Sequence, residues 1–266
     1  MGVELVVVFI LLGLFVGVMA GLLGIGGGGI LVPVLTSIFI YQGVPKDSVV
    51  HLALGTSMAC IVLTSFSSMR SHHKNGAVIW SLVKVMAIGM VVGTFSATFL
   101  TVQLSSKALA IFFALFMAYV SWQMIRKTEL KPRVGEISKT ELRLVTLLIG
   151  GISALVSIGG GSLTVPYLTW RNIDIKRAIA TSAALGFYIS AAGTIGYLIN
   201  GWISAPEVEK TWGYIYWPAV LLVAIPSYFS APFGAHLTQV LPVQLLKKIF
   251  GVLLIGLSLK MLSSLF

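Results

Sequence analysis

The sequence predicts an all-α integral membrane protein of two inverted repeats, each a glycine-broken helical hairpin followed by three transmembrane helices. Three observations predict this class. First, 57% of the 266 residues are hydrophobic and 10% are charged, with a mean hydropathy of +0.99, which is outside the range of soluble domains. Second, long apolar runs recur along the whole chain. Third, the motif GIGGGGILVP, which begins at Gly24, returns as SIGGGSLTVP, which begins at Ser157.

The apolar runs set the number of membrane segments. Those that approach or reach the roughly 20 residues needed to cross a bilayer core are Leu5–Leu23, Leu52–Met69, Ile79–Leu100, Ala108–Ile125, Leu142–Val156, Ala178–Ile199, Tyr214–Leu237 and Leu245–Leu265. The stretch from residue 3 to residue 41 would be roughly 58 Å long as a helix, too long for one span and too short for two. It is therefore predicted to be a hairpin broken at Gly24–Gly29. If the second motif breaks a hairpin in the same way, each half has five segments.

A cluster of basic residues orients these segments. Six of the 18 lysine and arginine residues lie in one central connection, namely Arg126, Lys127, Lys131, Arg133, Lys139 and Arg143. Because cytoplasmic connections carry an excess of Lys and Arg, we predict a cytoplasmic linker over 128–141, between an N-terminal repeat at 1–127 and a C-terminal repeat at 142–266. Both termini are then outside, in a multi-pass protein of the cell (inner) membrane. The cluster could also attract a lipid headgroup or an acidic partner.

An odd number of segments per repeat makes the second half enter the membrane from the side opposite the first, so the repeats are predicted to be inverted. Matches beyond the glycines support a duplication, because ordered matches at a fixed separation are typical of internal repeats. Thr56-Ser57 corresponds to Thr181-Ser182 at a separation of 125 residues, and Pro33 corresponds to Pro166 at 133.

The two glycine loops are the candidate binding site. Backbone that leaves a helix at membrane depth occurs where it is buried in protein or lines a wet cavity, and consecutive glycines allow a ligand to approach the main chain. Pro33 and Pro166 are predicted in the first turn of the next helix, so each loop would present a helix N-terminus, which favours anions. The alternative is that the glycines only allow close helix packing. The loop residues in question are Gly26, Gly27, Gly28, Gly29, Gly159, Gly160, Gly161 and Ser162.

Other side chains could complete such a site. Thr56, Ser57, Thr181 and Ser182 offer neutral hydroxyls suited to an anion that must bind and leave, although membrane Ser and Thr often bond to their own helix instead. Arg171, beside Trp170, could contact an anion or could be an interfacial anchor. The acidic residues all lie near the ends of the apolar runs, which argues against a buried carboxylate proton relay.

These paired motifs resemble the sulfite exporter TauE/SafE family, in which a duplicated glycine-rich motif ending in V-P is followed by G-T-S or A-T-S. Here the downstream elements are LGTS at Leu54–Ser57 and IATS at Ile179–Ser182, and the resemblance extends from about Gly17 to Leu262. It implies a membrane permease for sulfur-containing oxyanions such as sulfite, sulfoacetate or other organosulfonates, often by export. The two motifs differ from each other, because Gly24 and Gly29 of the first are replaced by Ser157 and Ser162 in the second. This asymmetry would place a hydroxyl near the substrate.

Two functions follow as hypotheses. The first is a secondary transporter that exports a small sulfur-containing anion by alternating access around the two loops. The second is an anion channel, or a membrane accessory subunit that delivers a sulfur species to a soluble enzyme. The sequence has no P-loop, G-x-S-x-G or H-E-x-x-H motif, so we expect no enzyme activity, cofactor or metal site. The expected partners are the small anion and the lipid bilayer, with no nucleic acid; a homo-oligomer is left open.

Overall fold

The computed structural model describes residues 2–125, 138–204, 208–240 and 243–265. The described chain forms ten helices and one short β-hairpin, and the predicted all-α membrane class is confirmed. The helices of the first half are α1 (Val3–Leu23), α2 (Gly28–Tyr41), α3 (Val49–Lys74), α4 (Trp80–Gln103) and α5 (Ser106–Ile125). Those of the second half are α6 (Lys139–Val156), α7 (Gly161–Trp170), α8 (Ile175–Ser204), α9 (Trp217–Val240) and α10 (Val243–Leu265).

Within these residues, α1, α3, α4, α5, α8 and α9 are long and apolar enough to cross a membrane. α2 is a shorter apolar helix, as is the Gly251–Ser263 part of α10. Several helices extend beyond the apolar runs; α3, for example, continues through polar residues to Lys74. Apolar composition marks only the part of a helix that lies in the hydrocarbon core, because the polar ends continue into the interface.

Two connections between helices bear on the sequence prediction. The linker predicted at 128–141 lies mostly outside the described residues, and its last part, from Lys139, is the start of α6. The β-hairpin, with strands β1 (Thr211–Trp212) and β2 (Ile215–Tyr216), was not predicted. It occupies the start of the apolar run assigned to Tyr214–Leu237, so that α9 begins three residues later, at Trp217.

The helices α3 and α8 form the centre of the molecule. Over an apolar stretch of 18 residues in each helix, 83% of the residues of α3 and 72% of those of α8 are buried, against 44% or less in the other four long helices. The two helices pack antiparallel: a Cβ built at Gly55 would lie 3.1 Å from Tyr197 Cβ, and one built at Gly186 would lie 3.1 Å from Ser65 Oγ. Residues near the start of α3 thus meet residues near the end of α8.

Glycines bring the outer helices into backbone contact on each side of this centre. α1 packs on α9, where a Cβ at Gly17 would lie 2.5 Å from the Ser227 carbonyl oxygen. α6 packs on α4, where a Cβ at Gly150 would overlap the Met90 carbonyl oxygen. Small residues at membrane helix interfaces allow this close approach. The outward faces carry exposed apolar side chains, as a bilayer requires: Leu11, Ile88, Leu115, Leu221 and Phe229 are among them.

Candidate substrate site

The two glycine motifs break the helices where the sequence predicts. α1 ends at Leu23, Gly24 and Gly26 adopt left-handed conformations with φ of 68° and 80°, and α2 begins at Gly28 after Gly27 at φ 87°. In the second half, Ser157 and Gly160 adopt φ of 48° and 75° between α6 and α7. Glycine is the residue that populates these conformations without a steric penalty. We call the two breaks loop 1 (Gly24–Gly27) and loop 2 (Ser157–Gly160).

Ser157 is the non-glycine exception in these loops. A left-handed conformation costs an ordinary L-residue about 1–2 kcal/mol. Its Oγ donates a hydrogen bond to the Leu54 carbonyl oxygen at 2.9 Å, and that oxygen belongs to α3 of the other half. This bond offsets part of the strain and ties loop 2 to the first half.

The prolines lie deeper in their helices than predicted. Because α2 begins at Gly28 and α7 at Gly161, Pro33 and Pro166 fall in the second turn of each helix, not in the first. Proline has no N–H to donate to the carbonyl four residues earlier. The carbonyls of Gly29 and Ser162 therefore lose their helical partners, within the first turn of each short helix.

The loops cross in direct backbone contact. The Gly159 N–H donates to the Ile25 carbonyl oxygen at 3.2 Å, and a Cβ built at Gly26 would lie 3.1 Å from Gly159 Cα. The contacts on either side are reciprocal: a Cβ at Gly28 would overlap the Ser157 carbonyl oxygen, and a Cβ at Gly161 would overlap that of Gly24. No side chain except hydrogen fits at these crossing positions, which explains the requirement for glycine.

The crossing lies halfway along the central helices. A Cβ at Gly26 would touch Ile61, about 18 Å from the start of α3 at 1.5 Å per residue. A Cβ at Gly186 would touch the Gly159 carbonyl oxygen, and Gly186 is about 16 Å from the start of α8. Since α2 and α7 both begin at this level and belong to different loops, two helix N-termini meet about midway along α3 and α8.

The predicted site residues are all buried, and their surroundings differ. Gly27 faces Val16, and Gly160 faces Ile189, whose Cδ1 would lie 2.5 Å from an added Cβ. Gly29 faces the side chains of Leu254 and Met117. Ser162, at the position equivalent to Gly29, is 3% exposed, and its hydroxyl has no hydrogen-bond partner.

The predicted threonines hold together the two halves of the protein. Thr56 Oγ1 accepts a hydrogen bond from the Tyr216 N–H at 3.0 Å, just before α9. Thr181 Oγ1 accepts one from the Ile79 N–H at 3.1 Å, just before α4. Each threonine therefore satisfies a backbone donor of the other half, at the start of a long helix. The structure assigns them this structural role, and their contact with a substrate stays a prediction.

The predicted serines differ from each other. Ser182 Oγ donates to the Gly24 carbonyl oxygen at 3.1 Å, which ties α8 to loop 1. The hydroxyl of Ser57, at the equivalent position in α3, is buried without a partner. Ser182 is therefore in contact with a glycine loop, and Ser57 keeps a free donor in the interior.

Three residues that border the loops were not among the site residues predicted from the sequence. Thr164 is fully buried, its hydroxyl has no partner, and its Oγ1 would lie 3.4 Å from a Cβ at Gly160. His72 Nε2 donates to the Gly21 carbonyl oxygen at 3.0 Å, and Tyr197 OH donates to the Ala154 carbonyl oxygen at 2.9 Å. Thr164 could have been found by comparing the motifs, because it replaces Leu31 between the glycines and the proline.

Arg171 lies at the end of α7, and its charge is balanced within the protein. Its guanidinium is 3.5 Å from Glu141 Oε2, with side-chain exposures of 2% and 28% for the two residues. The guanidinium carbon also lies 5.8 Å from the ring centre of Trp170. The pairing of Arg171 with Glu141 favours neither of the two roles left open for Arg171, and its contact with a lipid or an anion stays a prediction.

Among the described residues, no group of three His, Cys, Asp or Glu side chains could hold a metal ion. Cys60 is fully buried in α3. The loop residues themselves and the first turns of α2 and α7 carry only neutral N–H and O–H donors.

Comparison with known proteins finds a matching family model and similar membrane transporter proteins. A family model described as sulfite exporter TauE/SafE matches residues 9–261. A probable membrane transporter protein of Haemophilus influenzae is 37% identical over 254 residues, which cover 95% of this chain and 96% of that protein. One of Methanocaldococcus jannaschii is 31% identical over 242 residues, covering 86% and 85%. No solved structure matches the chain significantly.

Proposed function

The chain belongs to the sulfite exporter TauE/SafE family of membrane transporters, and from that premise we propose that it exports small sulfur-containing anions. Sulfite, sulfoacetate and other organosulfonates are the proposed substrates. The proposed mechanism is secondary transport by alternating access around loops 1 and 2. The observation that carries this proposal is the crossing of two glycine loops at mid-depth, where the helices α2 and α7 both begin.

Helix N-termini attract anions for two reasons. The first N–H groups of a helix have no partner within it, and the helix dipole adds a partial positive charge. Both effects are stronger inside a protein than in water because the surroundings screen less. Transporters with broken helices use such N-termini to hold anionic groups near the bilayer midplane.

Reciprocal contacts support the proposal that the two halves are inverted repeats. The equivalent helices α3 and α8 pack antiparallel, as inversion requires. Thr56 and Thr181, 125 residues apart, make equivalent bonds to the opposite half. His72 and Tyr197, also 125 residues apart, bond to Gly21 and Ala154, which are 133 residues apart. A chance resemblance between apolar helices would not reproduce hydrogen bonds at both separations.

The orientation in the membrane is part of the proposal. With the basic linker in the cytoplasm, the start of α1 and the end of α10 face outside, in the cell (inner) membrane. Substrate would then enter from the end where α3 finishes and leave from the end where α8 finishes. For an anion leaving a cell that is negative inside, the membrane potential itself favours export.

Countertransport in liposomes tests the proposal. Vesicles containing the purified protein are loaded with unlabelled sulfite, and uptake of a trace of radioactive sulfite is followed against protein-free vesicles. A carrier is expected to give transient, saturable accumulation of label, because one site is exposed to the two sides in turn. Flux that rises linearly with concentration, together with unitary currents, would instead identify a channel. No flux of any sulfur anion would contradict the proposed substrate class.

A further inference from the structure

We infer that the anion is bound by one of the two helix N-termini only, that of α7, with the hydroxyls of Ser162 and Thr164 as its side-chain ligands. This inference rests on the proposed function and deepens it. It identifies which half of a nearly symmetric crossing holds the substrate, and it adds Thr164 to the site.

The first observation is the N-terminus itself. α7 is ten residues long and begins at Gly161, after Gly160 in a left-handed conformation. Since the opening N–H groups of a helix have no partner within it, those of Gly161 and Ser162 are free to donate to a ligand. The Gly159 N–H, by contrast, is used in the bond to Ile25 that joins the loops.

The second observation is independent of the helix dipole. The hydroxyls of Ser162 and Thr164 are buried, at residue exposures of 3% and 0%, and neither has a hydrogen-bond partner. Thr164 Oγ1 lies over the N-cap, since it would be 3.4 Å from a Cβ at Gly160. Buried hydroxyls are normally paired, and an unpaired one is costly. Thr36 and Ser121 are also unpaired, but among the described residues only Ser162 and Thr164 lie together in the first turn of a helix that begins at a glycine loop, and this position points to a ligand.

The N-terminus of α2 lacks both donors. Gly29 and Leu31 stand at the positions of Ser162 and Thr164, so its first turn offers no side-chain hydroxyl. Both N-termini pack against apolar side chains, since a Cβ at Gly29 would lie 2.8 Å from Leu254 Cδ2 and one at Gly160 would lie 2.5 Å from Ile189 Cδ1, so the hydroxyls are what distinguishes them. An anion at the N-terminus of α2 would lose its hydration shell and regain fewer hydrogen bonds, which is unfavourable.

The donors define the chemical class of the ligand. Two backbone N–H groups and two hydroxyls suit a compact, deprotonated head group with several acceptor oxygens, such as sulfite or a sulfonate. The atoms around Gly160 and Gly161 belong to Ile149, Ile189 and the backbone of loop 1. Binding by neutral donors needs no fixed countercharge, so the anion can be released, as transport requires.

Matched substitutions test the inference through binding. Ser162→Ala and Thr164→Val remove the hydroxyls with little change of shape. Thr36→Val and Ser121→Ala are the controls, because Thr36 and Ser121 are also buried with unpartnered hydroxyls but lie away from the loops, on α2 and α5. The Kd for sulfite and for methanesulfonate is measured from ligand-dependent thermal stabilisation of the purified proteins.

We expect each α7 substitution to weaken binding about tenfold, the usual effect of losing a hydrogen bond to a charged group. Thr164→Ser, which keeps the hydroxyl, should bind like the wild type, as should both controls. Unchanged affinity in folded Ser162→Ala and Thr164→Val, with a wild type that binds, would overturn this inference and leave the proposed function standing. A wild type that binds neither anion would overturn both.

Discussion

The two halves of this protein agree in their backbone contacts and differ in the side chains at the start of their short helices. Loop 1 and loop 2 cross through reciprocal contacts at Gly28 and Gly161, yet Ser162 replaces Gly29 in the second half. The shared contacts are those that the crossing requires, because no side chain larger than hydrogen fits there. The difference indicates where a ligand could bind. A position whose side chain is not fixed by the backbone contacts of the crossing can carry a group that binds a ligand.

The same contrast applies to the connections between helices. α3 and α4 are joined by five residues, whereas the equivalent connection between α8 and α9 contains the β-hairpin. The hairpin packs between α3 and α8: the Tyr214 N–H donates to the Tyr197 carbonyl oxygen at 3.4 Å, and the Tyr216 N–H donates to Thr56. One end of the central helix pair is therefore fastened by an extra element that the other end lacks.

The largest effect is expected in a test of whether the two halves are inverted, because each position is labelled either from one side of the membrane or from the other. Asn75, after α3, and Glu209, after α8, are both exposed and occupy equivalent connections. Because α3 and α8 are antiparallel, Asn75→Cys and Glu209→Cys should react with a membrane-impermeant maleimide from opposite sides of the membrane. The wild-type chain supplies the control, since its single cysteine, Cys60, is fully buried. Labelling of both positions from the same side of the membrane would contradict the inverted arrangement of the two halves.

The next largest effect is expected at the crossing itself. Gly28→Ala and Gly161→Ala each place a Cβ on a backbone carbonyl of the other loop, which flexible side chains cannot relieve. Each should lower the free energy of unfolding by about 3 kcal/mol or more, the upper end for overpacking, measured by chemical denaturation in detergent. Gly256→Ala is the control, because an added Cβ there meets nothing within 4 Å. If Gly28→Ala lowered the free energy of unfolding and Gly161→Ala did not, the contacts at the crossing would not be reciprocal in solution.

A smaller effect is expected at the two threonines. Thr56→Val leaves the buried N–H of Tyr216 without its acceptor, which costs about 1–3 kcal/mol, whereas the N–H of Ile79, which loses its acceptor in Thr181→Val, is only partly buried. The free energy of unfolding in detergent should therefore fall in both variants, more in Thr56→Val, and Thr36→Val should change it little because that hydroxyl has no partner. A larger loss in Thr181→Val than in Thr56→Val would contradict this account of the two bonds.

Much of the fold could be predicted from local sequence. Apolar runs and the need to satisfy backbone groups inside a bilayer leave few alternatives to helices, and the glycines of the first motif mark the break because glycine adopts a positive φ without strain. The β-hairpin at Thr211–Tyr216 escaped prediction, since two-residue strands in an aromatic segment look like the start of a membrane helix.

The site could be predicted only in part, because its residues are brought together across long separations in the chain. The sequence identifies Thr56 and Thr181 as a repeated pair, but nothing local indicates that each accepts a bond from a residue of the other half. Thr164 could have been identified by comparing the two motifs, because the equivalent residue of the first motif, Leu31, has no hydroxyl. The burial of Ser162 and Thr164 without partners depends on how α7 packs, which local patterns do not contain.

Under the proposed mechanism, the contact between loops 1 and 2 would set the thickness of the barrier to the anion. At the level of Gly26 and Gly159 the two halves meet backbone to backbone, so a single layer of main chain would separate the two sides of the membrane. Such a layer would open by a relative movement of the halves much shorter than a helix. It would also leak if one methyl group were added at the crossing, because there is no space for it.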